Sequence, residues 1–129
     1  MASRFGLLAI AAAWAACAAL PAQAQDALAE LDALSAASAD AGSGIALARQ
    51  QIGDGDLVGA TATLERVLMD HPDADEALLL HASLLCRLDD KDGARAEVAA
   101  LGPEVAVADA DWREVTAACG PVPRPAGGY

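Results

Sequence analysis

The sequence predicts an all-α protein in which antiparallel helix-turn-helix repeats stack as a short solenoid between flanking capping helices. Three observations predict it. Alanine supplies 35 of the 129 residues, and the only aromatics are Phe5, Trp14, Trp112 and Tyr129; this balance favours helix over sheet. Apolar residues recur at helical spacing between short acidic caps and Gly/Pro stops. The chain also resembles itself at a shift of 34 residues. That shift lays Asp56-Leu57-Val58-Gly59-Ala60 on Asp90-Lys91-Asp92-Gly93-Ala94, Ala48 on Ala82, Leu64 on Val98 and Val67 on Leu101. A second shift carries Leu78 to Trp112 and Leu85 to Cys119.

Residues 1–24 read as a signal peptide. Arg4 gives the positive start, Phe5 to Leu20 is an apolar run, Pro21 ends it, and Ala22-Gln23-Ala24 is a small-x-small cleavage site. Two alternatives are weaker. The run has 16 residues, short for a membrane span. Lipid attachment at Cys17 lacks the usual Leu among Trp14-Ala15-Ala16. No later segment is long and apolar enough to cross a bilayer. Residues 25–43 form an N-terminal capping helix and linker, with Leu28, Leu31 and Leu34 on one side of a helix over Asp26 to Ser38. Residues 44–119 form the repeat domain, and 120–129, rich in Pro and Gly, a disordered tail.

Within the repeat domain Ser43 caps a helix over Gly44 to Ile52, with Ile45, Ala48 and Ile52 on one face. Gly53-Asp54-Gly55 turns the chain. Asp56 caps a helix over Leu57 to Met69, with Ala60, Leu64, Val67 and Leu68 inward, and Pro72 stops it. Asp73 and Glu76 make a capping box for the next helix. Its apolar stripe is Leu78, Leu79, Ala82, Leu85 and Leu88. Asp89 to Asp92 turns again, and the following helix ends near Leu101 at Gly102-Pro103. A last helix opens at Asp111, boxed by Glu114, and runs to Cys119.

Charge and cysteine usage bound the function. A net charge of −11 argues against nucleic acid and anionic lipid, which demand a surplus of Lys and Arg. The composition is too apolar for a disordered chain. Loss of the leader removes Cys17 and leaves Cys86 and Cys119, an even pair that an exported, oxidising compartment favours as a disulfide over a metal site. The Ala-rich leader suggests a Gram-negative bacterium, hence the periplasm.

The stretch Gly55-Asp56, Ala60, Leu64, Val67-Leu68, Pro72, Glu76-Ala77, Leu78, Ala82, Leu85 and Ala94 resembles the tetratricopeptide repeat (TPR). In that family small residues let paired helices approach, and Ala48, Ala60, Ala82 and Ala94 stand at those places. Departures are Gly44 at a place usually large and Gln51 in the second turn of the same helix, His81 in place of Leu, and Asp89 in place of the turn glycine; none breaks a helix, but they imply a loosely packed first unit. The resemblance implies that Cys86 and Cys119 lie at similar heights on side-by-side helices, where a bridge is feasible. It also implies a partner-binding groove lined by first helices, whose outer faces carry Arg49, Leu79, Ser83, Arg87 and Arg113. Either the three arginines receive a partner's carboxylates, or they pair with neighbouring Asp and Glu.

No cofactor and no enzyme chemistry is expected. Asp54-Gly55-Asp56 with Gly59 and Glu65 imitates a calcium loop, but Val58 occupies a ligand place and the stretch is needed as helix. His71 and His81 have no zinc spacing. There is no phosphate loop or nucleophile elbow, and a disulfide accounts for Cys86 better than a Cys86–His81 nucleophile does. His71 reads as a surface residue at a helix end, His81 as an interhelical packing residue. The expected function is therefore an exported protein–protein interaction module, an adaptor or accessory in envelope assembly or secretion. The alternatives are a structural subunit packed permanently in a larger envelope complex and, less favoured, a metal-binding protein.

Overall fold

The computed structural model describes residues 22–103 and 105–125, which form six helices and, among those residues, no strand. The helices are α1 (Ala22–Ser38), α2 (Ala41–Asp54), α3 (Leu57–Asp70), α4 (Asp75–Arg87), α5 (Lys91–Ala100) and α6 (Asp109–Cys119). The chain divides into two units, Met1–Leu31 and Asp32–Tyr129. The expected leader over 1–24 lies mostly outside the described residues; its last three open α1. In the first unit, Leu28 and Leu31 of α1 are exposed.

In the second unit the caps follow side-chain chemistry. The carboxylate of Asp40 accepts from the backbone N–H of Ser43 at 2.9 Å and from its hydroxyl at the same distance. These bonds hold the Asp40 carboxyl below its ordinary pKa. Asp40, not Ser43, is thus the cap of α2, and the helix starts earlier than the sequence predicts. Asp56 and Asp90 cap α3 and α5 through the N–H groups of Gly59 and Gly93. Helix α2 ends at Gly55 with φ 83°, a left-handed cap. The equivalent turn after α4 uses Asp89 at φ 71°, since a short Asp side chain tolerates that conformation where most residues do not.

Two expected capping boxes are absent. The N-caps of α4 and α6 are Ala74 and Ala108, with no side-chain bond. Acidic residues in the first turns, Asp75 and Glu76 in α4 and Asp109 and Asp111 in α6, offset the helix dipole instead.

The closest packings are α2 with α3, α4 with α6, α4 with α5, and α3 with α4. Helix α4 is therefore the hub, and it borders two cores. The first joins Ile45, Ala48, Ala60, Leu64, Val67, Ala77, Leu80 and Leu84. The second joins Leu79, Ala82, Cys86, Ala94, Val98, Leu101, Val107 and Val115. The four alanines of the repeat signature are at most 1% exposed. They occupy the helix contacts, where a larger side chain would force the backbones apart. Pro72 lies in the turn between α3 and α4.

Three expectations change here. A single stripe does not describe α4, because a helix with neighbours on several sides is buried nearly all round. Leu80 and Leu84 enter the first core, while Leu88 is 41% exposed. Gly44 does not loosen the first unit. A Cβ there would run into the Val67 side chain and the Ala37 carbonyl, so glycine permits a close approach. Nor are residues 120–125 disordered. The Arg124 guanidinium donates to the Val107 carbonyl at 2.6 Å, pairs with Asp109 at 2.8 Å and lies over the Trp112 ring, and Val122 packs on the second core.

Candidate docking groove

Helices α2, α4 and α6 bring the site together. A cleft of about 360 Å³ opens between α4 and α6, lined by Ser83, Arg87, Glu114, Ala117 and Ala118. The 34-residue shift explains its position: it carries Arg49 to Ser83 and Ser83 to Ala117. A long side chain fills the first place and small ones leave the next two open. Beside the cleft, a disulfide joins Cys86 at the end of α4 to Cys119 at the end of α6, with Cα atoms 5.1 Å apart.

The groove residues read from the sequence fall into three groups. Arg49 is committed. It donates to Glu114 at 3.2 Å and Glu76 at 3.4 Å, and Asp111 lies 3.7 Å away. The reading in which this arginine pairs within the protein is the one realised. Leu79 and Ser83 are 2% and 1% exposed. Leu79 belongs to the second core, so it is not a groove-surface residue. The Ser83 hydroxyl is spent on the Leu80 carbonyl. Arg87 and Arg113 are exposed, and neither forms an ion pair among the described residues.

Electrostatics sharpen this layout. Burial works to lower the Arg49 pKa, but hydrogen bonds and charge from Glu114, then Glu76, outweigh it and raise it. The Asp111 carboxyl is raised, first by burial, then by the charge of Glu76, with Arg49 offsetting part. Three carboxylates thus share one guanidinium, leaving surplus negative charge at that end. In the sequence Glu76, Asp111 and Glu114 carry only the signature of local caps, and nothing there marks them as groove residues. Ala117 and Ala118 carried no signal beyond small size and their place one repeat after Ser83 and Leu84. No group of three or more His, Cys, Asp or Glu among the described residues is placed to hold a metal ion.

Stacked helix pairs, recurring small residues and a groove lined by first helices define a helical-repeat interaction fold. The family model for the tetratricopeptide repeat matches residues 51–119, more than half of the chain, and the chain belongs to that family. No curated protein and no solved structure gives a significant match to it.

Proposed function

We propose that this protein is an exported, periplasmic docking module, not an enzyme, which binds a segment of a partner protein in the groove of α2, α4 and α6. It would serve as an adaptor or accessory in envelope assembly or secretion. Membership of the family supports a protein partner. Among the described residues no helix is long and apolar enough to cross a membrane, and the disulfide is compatible with an oxidising compartment.

The observation that carries the groove reading is the small-residue cleft with opposite charges at its borders. Arg87 offers a cation at one end, with Arg113 a turn before Ala117 on the same helix face. The carboxylates around Arg49 supply the other sign. A bound segment would then be held in one direction, its basic end toward Glu76 and Asp111 and its acidic end toward Arg87. Photo-crosslinking in the intact periplasm tests this. A crosslinker at Ala117 should capture a defined partner, and Arg87→Glu should weaken the capture. Equal capture from Arg66, exposed on α3, would remove the groove from consideration.

A permanent structural subunit is the second reading. Val58 and Met69 of α3 are 70% and 82% exposed, and their spacing puts them on one helix face. Folding that depends on protein concentration would favour that reading.

A further inference from the structure

His81 stands on α4 away from the groove chemistry, with its side chain 6% exposed. Its ring lies between two other helices. Nδ1 is 2.8 Å from Oε1 and 2.9 Å from Oε2 of Glu97 on α5. An ionised carboxylate only accepts, so Nδ1 must be the donor. Nε2 is buried without a hydrogen-bond partner. The nearest carboxylate on that side is Glu65 of α3, with Oε1 at 3.8 Å. No other carboxylate among the described residues lies within ion-pair distance of the ring.

In a neutral ring whose Nδ1 donates to Glu97, Nε2 presents a lone pair. That lone pair is stranded in the interior and faces an acceptor, which is the costly arrangement for a buried polar atom. A proton on Nε2 reverses both faults. It gives the ring a charge opposite to two carboxylates and a donor aimed at Glu65. The Glu65 side chain is 61% exposed, so it is free to close the remaining gap of about 1 Å.

We propose that His81 is a proton-operated tie between the two helix pairs. With Nε2 protonated, Glu65 of α3 and Glu97 of α5 are both bound to one ring on α4, and the helix that carries Glu76, Ser83 and Arg87 is held from behind. With Nε2 bare, only the Glu97 bond remains. The bond to Glu65 therefore exists only while Nε2 carries a proton. This goes beyond the docking reading and does not depend on it.

Urea unfolding of the full chain at about pH 8 and about pH 5 tests the tie, with wild type compared against Glu65→Gln and His81→Gln. Glu65→Gln alters an exposed side chain and leaves the fold intact. Acidification should favour folding of wild type over Glu65→Gln by up to about fivefold in the unfolding equilibrium constant, the scale of a partly exposed ion pair. The same acid-dependent increment should be missing from His81→Gln. Nitrogen NMR of the imidazole should show a proton arriving at Nε2 in the wild type. An equal difference between wild type and Glu65→Gln at both pH values, an increment that persists without His81, or an Nε2 still bare at the acid end would each overturn the proposal.

Discussion

The two cores solve the same problem by different means. The first closes between complete helices, α2, α3 and α4, with Ala48, Ala60 and Ala77 fully buried beside Leu64, Val67 and Leu84. The second is also built from a helix pair and the next helix, α4, α5 and α6, but α5 has only 10 residues against the 14 of α3. Helix α6 packs along α4, without a close packing on α5. Irregular segments complete this core, through Leu101, Val107 and Val122. It then adds a disulfide and the Arg124 strap over Trp112. Where helices stack in register, close packing of small and branched side chains suffices. Where α6 packs on α4 but not closely on α5, irregular segments and cross-links complete the core.

The largest expected effect tests the first core. Leu64→Ala removes a fully buried side chain and should cost about 2–5 kcal/mol, much of a small domain's stability. Chemical denaturation measures it. A loss under about 1 kcal/mol would mean that the first core is not close-packed. Replacing Cys86 and Cys119 together by alanine should cost about 2–4 kcal/mol. It should speed amide exchange in α6 before α3. If both helices change alike, the contrast between the cores fails.

Arg124→Ala is a smaller probe. It removes the Val107 bond and the Trp112 contact and should cost about 1 kcal/mol, read as a lower melting midpoint and a more exposed Trp112 fluorescence. The smallest effect has the opposite sign. The Asp111 carboxyl is raised above 3.8 by burial and by Glu76. The folded chain thus holds the Asp111 proton more firmly than the unfolded chain does, and ionisation costs stability as pH rises past that point. Asp111→Asn should give a gain of under about 1 kcal/mol at neutral pH, fading below 3.8. A loss at neutral pH would show instead that Arg49 gains more from Asp111 than burial costs.

What the sequence disclosed follows the range of each interaction. The caps Asp56 and Asp90 act three residues away, so local pattern finds them. The buried alanines and the Cys86–Cys119 pair recur near the repeat spacing, so self-comparison and the family resemblance reach them. Glu76 and Glu114 looked like capping partners because nothing local announced a guanidinium as far as 65 residues off. Leu79 looked like groove surface because a one-stripe reading assumes a helix with one solvated side, and α4 has almost none. Composition makes the tail look disordered, yet the Arg124 cation docks it on the Val107 carbonyl.

Arg49 has one more consequence. In a linear stack, stability accumulates from nearest neighbours, and the ends can fray separately. Arg49 reaches from α2 to Glu76 on α4 and on to Glu114 and Asp111 on α6, joining the first and last helices of the groove through one side chain. Ends buckled in this way fray less independently, so Arg49→Ala, a change on α2, should speed amide exchange in α6 as well.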